Sequence, residues 1–160
     1  MKIVIAAIGK MRPGAEKDLT ERYCQRAAQL ARGIGFSGPE TLEYDEARAR
    51  QAAGRRNQEA AKLLGVGAAA GHRIAFDEGG KALTTRQFAG KLGAWRDQGA
   101  ASCALLIGGP DGHGKEVLER ADLVLALGAM TWPHMLARAM IAEQVYRAMT
   151  VLAGHPYHRD

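Results

Sequence analysis

At 160 residues and 47% hydrophobic content, the chain is long enough to bury one real core and too apolar to be disordered by default. Lys and Arg outnumber Asp and Glu by 22 to 17, a net charge of +5, which favours an anionic partner with nucleic acid first. No apolar run reaches the about 18 residues of a membrane span, and MKIVIAAIGKMR is too short an apolar opening for a signal peptide.

Two cysteines, Cys24 and Cys103, fall in a predicted helix and a predicted buried strand, so a reducing, cytoplasmic setting is expected. Lys2 to Ile8 is a continuous β-prone run, as in an interior strand covered on both faces. A helix follows from about Glu16 to Ala31, with Leu19, Tyr23, Ala27 and Leu30 as its packing stripe. Thr41 to Tyr44 is a weak strand. Asp45 to Leu64 reads as helical with a break at Gly54, and Gly65 to Gly71 as a small-residue turn. Arg48, Arg50, Arg55 and Arg56 form the densest basic patch, either a solvated helix face or a surface turned to RNA.

His72 to Phe76 is the next strand, closed by the turn DEGGK. Thr84 or Thr85 caps a helix carrying Phe88, Leu92 and Trp95 on one side. Then come a strand at Cys103 to Ile107, a short helix at about Lys115 to Arg120, a strand at Leu123 to Leu127, and a last helix from His134 to Met149. Strands alternating with helices predict a single domain over 1–160, a three-layer α/β fold around a parallel sheet. The last helix leaves no continuous polar face, so either the chain itself or a second subunit must bury it; a homodimer is expected.

Two strands end in glycine-bearing turns, Ile107-Gly108-Gly109-Pro110-Asp111-Gly112 and the stretch after Leu127. Strand ends at one edge of a parallel sheet are where such folds hold ligands, and glycines admit close backbone approach. Neither turn has the spacing of a phosphate-binding P-loop or of a dinucleotide fingerprint, so GGPDG alone is compatible with a structural turn. The histidines near the end, including His155-Pro-Tyr-His158, lack the Cys or carboxylate partners of a zinc site, and no metal is expected. No GxSxG elbow supports a hydrolase.

Taken together, LLIGGPDG, LALGAMTWPHMLARAMIAEQVYRA and the terminal HPYHRD resemble one family over essentially the whole chain. It is the bacterial large-subunit ribosomal RNA pseudouridine N3-methyltransferases, minimal members of the SPOUT, or trefoil-knot, superfamily. The resemblance implies a C-terminal trefoil knot, within about residues 103–155, that binds S-adenosylmethionine. It places the cofactor against Phe76, Gly109 and the loop Gly128, Ala129, Met130, Thr131, Trp132 and Pro133. Phe76 stands where relatives commonly have leucine, Gly128 where they often have serine, and Gly112-His113-Gly114 where Gly-Leu-Ser is more usual.

The acceptor implied by the resemblance is N3 of the pseudouridine at position 1915, in helix 69 of 23S ribosomal RNA within assembled ribosomes. An imide nitrogen is a poor nucleophile, so the protein must position it and assist its proton loss. His134, Arg138, Tyr157 and His158 are the candidate catalytic residues, the first two sharing one side of the last helix. The tail HPYHR is expected near the other subunit's cofactor loop, with a frayed terminus as the plainer alternative. Arg48, Arg55, Arg56, Lys81 and Arg159 are candidate phosphate contacts. A SPOUT enzyme for another RNA nucleotide, or a noncatalytic ribosome-associated factor, are the alternatives that product mapping and cofactor binding would separate.

Overall fold

Both central strands alternate between two cores, and that alternation explains why they read as unbroken apolar runs. On β1 (Lys2–Ile8), Ile3, Ile5 and Ala7 face one side of the sheet while Val4, Ala6 and Ile8 face the other. On β4 (Ser102–Ile107), Cys103, Leu105 and Ile107 alternate with Ala104 and Leu106 in the same way. The structure is a computed structural model describing residues 1–66 and 71–157. Its five strands pair parallel in the order β2-β1-β4-β3-β5. Here β2 is Ser37–Tyr44, β3 is Gly71–Lys81 and β5 is Leu123–Leu125.

Helices α1 (Ala15–Ala31), α3 (Thr85–Asp97) and α5 (His134–Leu152) cover the first face; α2 (Ala52–Gly65) and α4 (Lys115–Arg120) cover the second. The expected three-layer α/β architecture is therefore present. Thr84 is the cap of α3: its hydroxyl accepts from the Gln87 amide at 3.2 Å, and the Gln87 side chain accepts from the Thr84 amide at 2.9 Å.

Three expected boundaries change. The helix expected from Asp45 begins only at Ala52, and Gly54 lies inside its first turn rather than breaking it. Strand β2 starts four residues earlier than Thr41, and β5 stops at Leu125 rather than Leu127. The DEGGK segment is no simple turn but the far end of β3, which leaves its partner after Phe76 and rejoins it at Lys81 beside Leu125. Gly80 permits that return: a Cβ there would lie 2.7 Å from the backbone carbon and nitrogen of Leu125.

The apolar character of α5 is largely answered within the chain. It packs on α1, on α3 and on the sheet, burying Ala139, Ile141, Ala142, Val145, Ala148 and Met149 among others. Met135, Leu136 and Met140 stay half-buried. Met130 and Trp132, in the loop before the helix, are the exposed large apolar side chains, at 69% and 38%.

Candidate functional site

Because the strands run parallel, the C-terminal ends of β3, β4 and β5 open at one edge of the sheet, and α5 starts beside them. A cavity of about 520 Å³ lies there. Its walls are the end of β3 at Phe76, Asp77 and Glu78, the β4 loop from Ile107 to His113, the stretch at Leu125 to Trp132, and His134, Ala137 and Ile141 of α5. Of the residues expected to hold a cofactor, Phe76, Gly109, Gly128, Met130, Thr131 and Trp132 line this cavity; Ala129 and Pro133 belong to the same loop without lining it.

The β4 loop is held from outside. Arg55 of α2 grips Asp111 with Nε to Oδ2 at 2.6 Å and Nη2 to Oδ1 at 3.0 Å, and Arg56 donates to the Asp111 carbonyl at 3.4 Å. The Arg55 guanidinium keeps the Asp111 carboxyl below the usual carboxylate range. Arg55 is thus committed to the loop, not free for phosphate as the basic patch suggested. Inside the loop, Gly112 takes φ +76° and its amide donates to the Gly109 carbonyl at 2.9 Å. A Cβ at Gly109 would stand 3.0 Å from Glu59 Oε2 and from an Ile8 methyl. The glycine is needed for what lies beneath the loop as well as for the cavity above it.

His134 and Arg138 do come together. Arg138 Nη2 lies 2.9 Å from His134 Nε2, donates to the Gly9 carbonyl at 2.7 Å and donates to the Ile8 carbonyl. Its Nη1 meets Glu43 Oε1 at 2.8 Å, and Glu43 also accepts from the Met11 amide at 3.0 Å. Arg138 is 2% exposed and does not line the cavity. His134 does, with Nε2 2.9 Å from the Ile8 carbonyl.

A guanidinium nitrogen carries two hydrogens, and those on Nη2 are matched by the carbonyls of Ile8 and Gly9. That leaves His134 Nε2 to carry a proton and donate to Ile8, so Nδ1 holds the free lone pair. Burial, then the neighbouring Arg138 charge, lower the His134 pKa, so the ring is neutral at pH 7. A neutral imidazole with a free Nδ1, facing a cavity, is an available base.

Tyr157 is elsewhere. Its hydroxyl lies 3.3 Å from Glu143 Oε1, its ring packs 4.7 Å from that of Tyr146, and the Arg147 guanidinium lies over it. Glu143 is nine residues along the helix from His134, about 13 Å. Burial pushes the Tyr157 phenol up to about 12. Within one chain it does not join His134. His158 and Arg159 lie outside the described residues.

Sequence reasoning missed Glu43, Glu59, Asp77 and the Arg55–Asp111 clamp. Their partners are distant in sequence, and no local spacing announces them. Glu59 is 4% exposed, accepts from the Ala47 amide at 2.9 Å through Oε1, and keeps Oε2 without a partner. A second cavity, about 800 Å³, adjoins the start of α5 on the β1 side, between Gly9–Pro13, Asp45–Arg48 and Met135. Among the described residues, no group of His, Cys, Asp and Glu has a metal-binding arrangement, and no helix is long and apolar enough to cross a membrane.

Residues 1–158 match the family model described as predicted SPOUT methyltransferase. A protein of Nitrobacter winogradskyi named ribosomal RNA large subunit methyltransferase H is 45% identical over 159 residues, 99% of each chain. A Methylocella silvestris protein of the same name is 44% identical over 160 residues, covering both chains fully. Among solved structures, a probable methylase family protein from Haemophilus influenzae Rd KW20 aligns with 99% of this chain and 70% of its own. Its TM-score is 0.51 at 13% identity, a likeness of fold alone.

Proposed function

Because this chain belongs to the SPOUT methyltransferase family, we propose that it methylates N3 of the pseudouridine at position 1915, in helix 69 of 23S ribosomal RNA. The chain is a ribosomal RNA methyltransferase that uses S-adenosylmethionine; the particular acceptor is the proposal. The observation that carries the chemistry is the neutral His134, its Nδ1 free, at the rim of a cavity built from two glycine-bearing loops.

The residues present fit the cofactor. Phe76, Leu127 and Met130 offer an apolar wall suited to adenine, the glycines of the β4 loop leave backbone within reach, and both ring nitrogens of His113 are buried without a partner. When bound, S-adenosylmethionine supplies an electrophilic methyl group. His134 then serves the acceptor: its Nδ1 takes the N3 proton as the nitrogen becomes nucleophilic. Arg138 acts through His134. It fixes the ring and, by its charge, keeps the imidazole unprotonated. The direct substrate contact first expected of Arg138 thus becomes a positioning role.

The second cavity suits the RNA side. It borders the same helix start, and Arg12 and Arg48 on its wall carry no ion pair, while Lys10 is engaged by Asp45 at 2.9 Å. Phosphates near these cations would orient the RNA without reading its bases. We further read the C-terminal segment as threaded into a trefoil knot. The order of crossing supports it: β5 lies outside β3, and α5 then returns to bond the end of β1.

A homodimer completes the proposal. Exposed Met130 and Trp132, with half-buried Met135, Leu136 and Met140, give a second copy an apolar patch beside the cavity. Since Tyr157 lies far from its own His134, a tail that acts at all acts on the other copy, with His158. The setting is cytoplasmic, where ribosomes assemble. The test is mass mapping of helix 69 in ribosomes from cells lacking the protein, then after adding purified protein and S-adenosylmethionine. The expected result is one methyl group lost and regained on that pseudouridine. Methylation mapped to any other nucleotide overturns the acceptor, and none at all overturns the activity.

A further inference from the structure

The turn that Gly112 makes at φ +76° swings His113 back over the sheet edge, into the cavity. Neither Nδ1 nor Nε2 of that ring reaches solvent, and neither has a hydrogen-bond partner. A buried imidazole left unpaired on both sides is costly unless something that enters the cavity satisfies it. The leucine more usual at this place in the family would carry no such cost and offer no such bond.

We infer that His113 is a neutral donor–acceptor contact for the adenosyl part of the cofactor, making cofactor affinity in this chain sensitive to mild acid. This rests on the cofactor reading above. A neutral imidazole presents one N–H and one lone pair, the complement of a ribose hydroxyl or of the adenine amino edge. An imidazolium would present two donors and a charge that repels the sulfonium and ammonium of the cofactor.

The charged and titratable groups around the ring are Asp77 and Glu78 of β3, Asp111 of its own loop with its Arg55 and Arg56 partners, and His134 of α5. Burial lowers the His113 pKa below 6.5; the Asp77 charge and the carbonyls of Leu106 and Phe76 oppose it without prevailing. The ring is therefore neutral at pH 7. A cofactor that binds only the neutral form loses affinity as pH falls through that lowered pKa, by about tenfold per unit below it.

The test is calorimetric titration of the folded wild type, His113→Leu and His113→Gln with S-adenosylmethionine and S-adenosylhomocysteine, between about pH 7.5 and pH 5. At the upper pH, His113→Leu should bind about five- to tenfold more weakly, and His113→Gln, which keeps a donor and an acceptor, within about threefold of wild type. Both variants should lose the acid-side fall in affinity; any response of His134 is common to all three and subtracts out. In a separate readout, the ring-carbon NMR signal of His113 should titrate at lower pH with S-adenosylhomocysteine bound than without it. His113→Leu that matches wild type in affinity and pH response, or an unshifted NMR titration, overturns the inference while leaving the cavity as the cofactor site. A folded wild type that binds neither nucleoside refutes the cofactor reading, and this inference with it.

Discussion

Replacing Arg138 by methionine keeps most of the side chain's volume and removes a guanidinium that is 2% exposed. Lost with it are the bonds to the Ile8 and Gly9 carbonyls, the contact with His134 and the ion pair to Glu43. Breaking a buried pair from one side costs about 3–5 kcal/mol. Glu43 is 28% exposed and keeps the Met11 amide, so water relieves part of its isolation and the lower end, about 3 kcal/mol, applies. For a domain of this size that is a melting-temperature drop of about 6–12 °C. Chemical denaturation of wild type, Arg138→Met, Glu43→Gln and the double variant would measure the loss and the coupling within it.

The same substitution has a kinetic signature. Without the neighbouring cation the His134 pKa rises, so the acid limb of single-turnover methylation should move to higher pH. Mere loss of stability would not move that limb in the fraction that stays folded. A variant within about 1 kcal/mol of wild type, or one with an unmoved limb, would refute the placement of Arg138 beside His134.

Gly80→Ala should cost several kcal/mol, on the order of a strained core substitution, because its Cβ meets the backbone of Leu125 at 2.7 Å with nothing flexible to yield; a thermal melt checks it. Asp111→Asn, which weakens a clamp a quarter exposed, should cost under about 1 kcal/mol of stability yet weaken S-adenosylmethionine binding in calorimetry, since the β4 loop loses its brace. His113 and His134 both have pKa values depressed below 6.5, so their unprotonated forms favour the folded state. That stability is fully present above pH 6.5 and lost as pH falls through the folded values, which denaturation at stepped pH would show. Removing residues 155–160 should spare cofactor affinity and remove most methyl transfer to unmethylated ribosomes; full single-turnover activity would discard the role given to the tail.

The strands and most helices were legible because each carries its period in consecutive residues, and Ile3 to Ile8 shows why. A strand buried on both faces has no polar beat, and this one needs none. Legibility fails where the chain is shaped by a distant partner. Asp45 to Gln51 has helix-forming composition, yet it stays extended where the Ala47 amide bonds Glu59 and the Asp45 carbonyl accepts from Lys62 at 2.8 Å. The DEGGK segment holds two glycines that suggest a turn, while its course is set by the backbone of Leu125. At the site, the cavity-lining glycines were visible as motifs and His134 as a helix neighbour of Arg138. Arg138's burial was not, because Glu43 and the β1 carbonyls that receive it are about a hundred residues away or more.

The bond from His134 to Ile8 spans 126 positions, and it ties the start of the last helix to the end of the first strand. During synthesis, then, β1 to β4 can emerge from the ribosome and pair while the base of the site has yet to be translated. Until α5 docks, the carbonyls of Ile8 and Gly9 have no guanidinium, the cavity lacks its wall at His134 to Ile141, and a nascent chain has nothing to grip a nucleoside with. Docking that element closes a long loop late, the slow kind of step in folding. Ligand capture draws on the same closure, so free cofactor should selectively trap finished chains and protect them from proteolysis through mass action on the native state. Completion of translation, maturation of the fold and competence to modify RNA thus become a single event for this molecule.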